Sequence, residues 1–207
     1  GDTVVLPMPH DAPDAEPERW GRLFAWMYSL TGRNSYSNRV VVEHASLEPG
    51  DRVLDLGCGP GAALAAATKM VDPSRLAGVD PTPGFIDQCR RRFPTADIRV
   101  GSAEDIPFED DRFTVAWTIA SFHHWVDPDA GLVELLRVLA GGGRVIVVED
   151  LLRRSGGHGV AQDEIDDLAA RIEDAGFTAV TVETVRKRWG RMIVVTGRKP
   201  GAPGTSP

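Results

Sequence analysis

The sequence Val53-Leu-Asp-Leu-Gly-Cys-Gly-Pro-Gly61 decides the fold of this chain. Its first four residues read as a short buried strand, its glycines form a Gly-x-Gly-x-Gly turn, and an alanine-rich helical segment follows from Ala62. Glycine tolerates positive φ and has no Cβ, so such a turn lets the backbone come close to a ligand. The segment therefore predicts a strand, a ligand-binding turn and a helix.

An acidic residue, Asp80, follows Gly61 by nineteen positions and ends a second strand-like run, residues 76–79. A carboxylate at this place in a strand–turn–helix–strand unit can accept hydrogen bonds from both hydroxyls of a ribose. The alternative is a helix N-cap, because Asp80 precedes Pro81 and a helical segment. The ribose interpretation indicates a ligand that contains adenosine.

Strand-like apolar runs alternate with helical segments along most of the chain. Continuous apolar strands separated by helices are typical of βαβ units, and so of a mostly parallel sheet covered on both faces. The last two strands are joined by a very short link, which permits only an antiparallel hairpin. We predict a doubly wound α/β fold with seven strands, at about 52–56, 75–79, 97–100, 113–118, 144–149, 178–186 and 191–198, and helices near 18–30, 37–46, 60–70, 83–92, 129–138 and 161–175.

The length of 207 residues is enough for a substantial core, and a single domain over 18–198 is expected. Within it, the aromatic-rich segment 18–46 is predicted to cover the site. Residues 1–17 are rich in proline and acids and are expected to be disordered, and 199–207 is expected to be a flexible tail.

The charge balance and the cysteine count limit the possible partners. A net charge of −7 argues against nucleic acid or an anionic membrane as the main partner. The N-terminus is acidic and proline-rich, and no apolar run is long enough to span a bilayer, so neither a signal peptide nor a membrane span is predicted. Cys58 and Cys89 are too few for a disulfide framework and lack metal spacing. We expect a cytoplasmic protein without a metal site.

Four segments resemble the motifs of the class I S-adenosylmethionine-dependent methyltransferases, in the order of that family and close to its spacing. They are the glycine segment 53–61, Gly-Val-Asp80, Gly101-Ser-Ala-Glu-Asp-Ile-Pro-Phe108 and Leu139-Ala-Gly-Gly-Gly-Arg-Val145. The resemblance covers about residues 50–150. It implies a Rossmann-like fold, S-adenosylmethionine as cofactor, S-adenosylhomocysteine as product and transfer of a methyl group to a small-molecule acceptor, by a monomer or a homodimer.

The resemblance also implies the residues that bind the cofactor. An acid at the position of Asp55 helps to hold the amino end of the methionine moiety, and Asp80 binds the ribose. The residues implied for the whole cofactor site are Asp55, Gly57, Cys58, Gly59, Gly61, Asp80, Pro81, Ser102, Ala103 and Glu104. The family often has Asp where this chain has Ser102, so Glu104 or Asp105 is an alternative contact for the adenine amine.

A dinucleotide-binding fold is the rival interpretation, because Gly57, Gly59 and Ala62 satisfy a looser Gly-x-Gly-x-x-Ala fingerprint. Asp55 opposes it by adding a negative charge where a pyrophosphate would lie. Pro60 opposes it by removing an N–H at the start of the helix, where a phosphate needs donors. Segments 101–108 and 139–145 have no counterpart in a dinucleotide-binding fold.

The segment Ile119-Ala-Ser-Phe-His-His-Trp125 follows the fourth strand, where the family places the loop that faces the acceptor. His123 and His124 are the obvious bases there, and at most one is expected to be catalytic. The alternative is that this run is only a structural cap. A protein that binds the cofactor or its product without methyl transfer, or one that catalyses a different S-adenosylmethionine-dependent reaction, also remains open.

Overall fold

The computed structural model describes residues 36–152, 159–187 and 190–201. The predicted disordered segment 1–17, the predicted helix 18–30 and the end of the predicted tail lie outside these ranges. Tyr36–Ala45 forms a helix, α1, close to the predicted 37–46. Lys199, the first residue of the predicted tail, is hydrogen-bonded through its backbone to Gly142 and Gly143.

The strands form one eight-stranded sheet in the order β3-β2-β1-β4-β5-β8-β7, with β6 pairing beside β5. The first five are parallel, and β8 is antiparallel to both β5 and β7. The strands are β1 Val53–Leu56, β2 Leu76–Asp80, β3 Asp97–Val100, β4 Phe113–Ile119, β5 Leu139–Leu152, β6 Val160–Ala161, β7 Thr178–Lys187 and β8 Gly190–Arg198. The predicted mostly parallel sheet with an antiparallel C-terminal hairpin is confirmed.

Two details of the strand prediction are wrong. The sheet has eight strands rather than seven, because Val160–Ala161 adds a two-residue strand that pairs in parallel with the end of β5. Strand β5 begins at Leu139 rather than at residue 144, so the glycine segment that resembles a turn is already part of the strand. Lys199 stabilises that extension, since its N–H donates to the Gly143 carbonyl and its own carbonyl accepts from Gly142.

Four further α-helices follow α1, with one-turn 3₁₀ helices at Pro73–Arg75, Phe122–His124 and Gln162–Glu164. They are α2 Ala62–Ala67, α3 Pro83–Arg92, α4 Pro128–Val138 and α5 Ile165–Asp174. Helix α3 has the predicted bounds. Helix α2 is shorter than the predicted 60–70, because Gly61 stays in the left-handed region (φ 79°) and the helix starts only after it. Asp127 caps α4 by accepting from the Ala130 N–H at 3.1 Å.

Helices cover both faces of the sheet, as predicted. Alternate residues of β1 enter two separate cores: Val53 faces α1, α2 and α3, whereas Leu54 and Leu56 face α4 and α5. This alternation follows from the two-residue period of a strand. None of the helices in the described ranges is long and apolar enough to cross a membrane.

Candidate active site at the carboxyl edge of the sheet

The carboxyl ends of the first five strands meet at one edge of the sheet, beside the point where the strand order reverses between β1 and β4. Ligands of doubly wound folds bind at such an edge. The glycine turn follows β1 there, Asp80 ends β2, Gly101 follows β3, and Ala120 follows β4. The fold therefore brings the glycine turn, Asp80 and the segments 101–108 and 119–125 to one edge, whereas segment 139–145 begins β5 at the opposite edge.

The glycine turn has positive φ at Gly57 (80°), Gly59 (51°) and Gly61 (79°). The N–H groups of Gly57 and Cys58 both donate to the Val79 carbonyl, at 2.8 and 3.0 Å, so these two donors serve the turn itself. At Gly59 an added Cβ would meet no atom within 4 Å in the described part of the chain. Gly59 is therefore the point where the turn faces open space.

The other two glycines of the turn are required by packing. A Cβ on Gly61 would lie 2.6 Å from the Phe93 ring and 2.8 Å from Cys89 Sγ, so Gly61 lets α3 pack closely. A Cβ on Gly57 would clash with the hydroxyl group of Ser121. Ser121 thus lies against the turn, and the segment after β4 adjoins the segment after β1. Sequence reasoning does not single out Ser121 as a wall of the site.

The carboxylate of Asp80 is held in place by backbone donors. It accepts from Gly59 N–H at 3.0 Å and from Thr82 N–H at 2.8 Å. Burial raises its pKa above the ordinary range, and these two hydrogen bonds oppose that rise. Asp80 therefore links the glycine turn to the end of β2. It is not the N-cap of α3, which is Thr82.

Asp55 is a buried carboxyl group inside β1, and it lies opposite Gly78 and Trp117 on the neighbouring strands. Burial raises its pKa to about 7, the indole N–H of Trp117 opposes the rise, and the negative charge of Asp80 adds to it. Of the ion pairs formed by the described residues, none involves Asp55 or Asp80. Two uncompensated acids beside the glycine turn favour a cationic ligand.

The segment after β3 packs against the start of α4. Ala103 is buried, and Glu104 accepts from the N–H groups of Val126 and Asp127, at 2.8 and 3.1 Å. Burial would raise the pKa of Glu104, but hydrogen bonds from Asp127, Ser102 and Val126 outweigh it and lower the pKa. Ser102 is half-buried, and Pro81 is exposed at the end of β2.

The structure separates the two candidate bases. His123 is mostly buried, and its Nδ1 lies 2.8 Å from Glu149 Oε2, whereas His124 is exposed and stacks on the His123 ring at 4.0 Å. Glu149 is a buried residue near the end of β5 that sequence reasoning missed. The available signal was the acidic pair 149–150 directly after an apolar run, since acids in that place lie at the same edge as Asp80.

Cys58 lies within the glycine turn and Cys89 on α3, and both thiols are buried. A hydrogen bond with Cys89 and burial raise the pKa of the Cys58 thiol well above its ordinary value, which disfavours the nucleophilic thiolate. Within the ranges that the structure describes, no group of three or more His, Cys, Asp or Glu residues could hold a metal ion. The chemistry of the edge is therefore that of carboxylates, backbone groups and imidazole.

Residues 54–147 match the family described as methyltransferase domain. An uncharacterized 37.1 kDa protein in transposon TN4556 of Streptomyces fradiae is 37% identical over 114 residues, covering 53% of this chain and 33% of that protein. Phthiotriol/phenolphthiotriol dimycocerosates methyltransferase 1 of Mycobacterium ulcerans is 31% identical over 139 residues, covering 66% of this chain and 50% of that protein. The chain thus spans a third to a half of the length of these relatives.

Two solved structures show the same fold. One is the complex between the Haloferax volcanii Trm112 methyltransferase activator and the putative methyltransferase, with a TM-score of 0.74 at 19% identity over 91% of this chain and 97% of the matched chain. The other is Haemonchus contortus phospholethanolamine N-methyltransferase 2 in complex with phosphomonomethylethanolamine and S-adenosylhomocysteine, with a TM-score of 0.72 at 14% identity over 88% of this chain and 58% of that chain. In its motifs, in the match over residues 54–147 and in its fold, this chain is similar to the class I S-adenosylmethionine-dependent methyltransferases.

Proposed function

We propose that this protein binds S-adenosylmethionine at the carboxyl edge and transfers its methyl group to a small molecule by in-line displacement. One observation carries the proposal: Gly59 faces open space beside two acids, Asp55 and Asp80, that have no ion pair among the described residues. S-adenosylmethionine is a cation with a ribose diol. It matches both the charge and the hydrogen-bonding capacity of these acids.

The parts of the cofactor are assigned by the chemistry of each segment. Asp80 accepts from the ribose hydroxyls, because its carboxylate is already oriented by Gly59 and Thr82. Asp55 balances the positive charge of the methionine end. Ser102, Ala103 and Glu104 lie along the adenine, where the buried Ala103 provides an apolar contact. The net charge of −7 favours a small molecule over a nucleic acid as the acceptor.

When bound, S-adenosylmethionine supplies an already activated methyl group. The chain must then align the acceptor and, for an acceptor that carries a proton, remove that proton. We assign the second task to His123 rather than to His124, because His123 is held by Glu149. A positioned base favours turnover over the alternative of a binding protein that only retains the cofactor.

Cofactor binding is tested by calorimetric titration of S-adenosylmethionine into the protein and into Asp80→Ala. The substitution should weaken binding by about 1.5–3 kcal/mol, the range for a charge-assisted hydrogen bond, and should leave the fold intact. Unchanged affinity in a folded Asp80→Ala protein removes Asp80 from the site. If the unaltered protein binds no S-adenosylmethionine, the proposed function is rejected.

Methyl transfer is tested by the release of S-adenosylhomocysteine with a panel of hydroxyl, amine and thiol acceptors. His123→Gln should lower kcat by about 10²–10⁴-fold, the usual contribution of a general base, with little change in cofactor affinity. His124→Gln is the matched comparison and should keep most of the activity. If both variants keep the activity of the unaltered protein, the His-His-Trp run is only a structural cap.

A further inference from the structure

We infer that Glu149 is a positioning residue that fixes the proton of His123 on Nδ1, so that His123 Nε2 takes the proton of an acceptor hydroxyl. This inference rests on the proposed function and narrows its substrate class. It is carried by the contacts of Glu149, by the shape of the turn that contains His123, and by the place of that turn beside the glycine turn.

Glu149 is 1% exposed and accepts three hydrogen bonds from one short turn. Its Oε1 accepts from the N–H groups of Ser121 and Phe122, at 3.0 and 2.8 Å. Its Oε2 lies 2.8 Å from His123 Nδ1. A buried carboxylate is expensive unless it is hydrogen-bonded, and three donors satisfy this one. The side chain therefore holds the turn and the imidazole in one arrangement.

The chemistry of this contact determines the tautomer. An ionised carboxylate only accepts hydrogen bonds, so the contact requires a proton on His123 Nδ1. Because Nδ1 is then a donor, the neutral imidazole carries its basic lone pair on Nε2, and proton exchange with a substrate takes place there. In metal-free and metal sites alike, the partner of one imidazole nitrogen sets the role of the other.

The backbone of the turn is strained in a way that keeps the imidazole in place. Ala120 has φ 48°, in the left-handed region that is unfavourable for a residue with a Cβ. Its N–H donates to the Val148 carbonyl at 2.8 Å, in the residue before Glu149. Strain of this kind persists only where the surroundings impose it. Strand β5 therefore fixes the turn through both its backbone and the Glu149 side chain.

The turn lies next to the proposed cofactor. Ser121 contacts the glycine turn at Gly57. His123 therefore lies two residues after a residue that borders the proposed cofactor site. Within the described residues, a second titratable group beside the imidazole is His124, whose ring centroid is 4.0 Å away. The general base is thus placed on the acceptor side of the site, and its orientation comes from β5.

The position of the base indicates the acceptor. The acceptor oxygen forms a bond to the methyl carbon as the carbon–sulfur bond breaks, the electron pair of that bond passes to sulfur, and the hydroxyl proton passes to His123 Nε2. S-adenosylhomocysteine and the methyl ether are the products. An amine or thiolate already has a reactive lone pair. Of these acceptors, only a hydroxyl therefore needs His123, positioned by Glu149, to remove a proton during the attack.

The test is Glu149→Gln, studied by NMR and by kinetics. The amide of Gln can donate to Nδ1, so ¹⁵N spectra should show the His123 proton moving from Nδ1 to Nε2, with the signal assigned by His123→Gln. With hydroxyl acceptors, kcat should fall by about 10²–10⁴-fold and the rise of rate with pH should disappear. Glu149→Asp should restore part of the kcat and part of the rise of rate with pH. An unchanged tautomer, or an unchanged pH–rate profile, overturns the inference.

A control separates positioning from general loss of structure. Asp51→Asn also removes a buried carboxylate that accepts several hydrogen bonds, but at the opposite edge of the sheet. It should lower stability while preserving the His123 tautomer and the pH–rate profile. Should Glu149→Gln fail to fold, Glu149→Asp and the tautomer of the unaltered protein still decide the matter. If the unaltered protein binds the cofactor and turns over, but the Glu149 substitutions have no effect, this inference is rejected and the proposed function stands.

Discussion

Two pairs of aspartates at opposite edges of the sheet are held in different ways. At the amino edge, Asp51 pairs with Arg144 at 2.6 Å, and Asp97 pairs with Arg99 and Arg112, each at 2.7 Å. At the carboxyl edge, Asp55 and Asp80 lie beside the glycine turn without such a partner in the described ranges. The first arrangement satisfies charge within the protein, whereas the second has no ion pair among the described residues and is the one to which we assign the cofactor.

The pKa directions at the two edges differ accordingly. The hydrogen bond from Arg99 lowers the pKa of Asp97. Burial pushes the pKa of Asp51 upward, but Glu48, Thr114 and Arg144 outweigh it and lower the pKa. At the other edge, burial raises the pKa of both Asp55 and Asp80. The comparison teaches that ion pairs lower the pKa of the acids at one edge, whereas burial without an ion pair raises the pKa of Asp55 and Asp80 at the other.

The largest expected effect is at the amino edge. Asp51→Asn leaves Arg144 without its charge partner and should lower the free energy of unfolding by about 3–5 kcal/mol, the cost of breaking a buried ion pair. Because the folded pKa of Asp51 is lowered, its contribution is present above the unfolded value of 3.8 and is lost as pH falls through the folded value. Urea unfolding at several pH values measures it. A loss of cofactor affinity in this variant would break the comparison.

The next prediction is an increase, rather than a decrease, in the free energy of unfolding. Because the folded pKa of Asp55 is raised from 3.8 to about 7, the native state binds the extra proton, and stability falls as pH rises through that window. Asp55→Asn should therefore raise the free energy of unfolding of the ligand-free protein more at pH 8 than at pH 5. The difference between the two effects should be on the order of 3 kcal/mol. Thermal unfolding at the two pH values checks this. A pH-independent change would show that Asp55 is not the acid responsible.

The same substitution should alter cofactor binding. A bound cation favours the charged form of Asp55, so binding near pH 7 should release a proton from the unaltered protein. The calorimetric enthalpy should then depend on the ionisation enthalpy of the buffer, and this dependence should be lost in Asp55→Asn. Equal buffer dependence in both proteins would place the cation away from Asp55.

The last prediction compares the substitution of one glycine from each edge. Gly59→Val places a β-branched side chain at φ 51° in the space assigned to the cofactor, and should weaken binding roughly 100-fold or more. Gly50 lies just before Asp51 and also has no atom within 4 Å of an added Cβ, but its φ is not positive. Gly50→Val is therefore the control and should bind normally. Similar affinities for both variants would show that the turn does not approach the ligand.

Local pattern was sufficient for the fold. Apolar strands separated by helical segments predict the parallel sheet, and the short link before β8 predicts the antiparallel hairpin. The glycine turn and Asp80 are equally readable, because positive φ and a strand-ending acid are local features. The start of β5 was missed, because the extension depends on backbone hydrogen bonds to Lys199, which is distant in sequence.

What the sequence by itself determined about this protein is therefore its fold class and the edge of the sheet where the candidate site is assembled, both of which follow from short-range periodicity and turn chemistry. The tertiary structure alone decided that His123 is held by Glu149, since the two residues are 26 positions apart on different elements. It also decided the raised pKa of Asp55 and the packing requirement at Gly61. These features depend on burial and on contacts between distant segments, which no local pattern specifies.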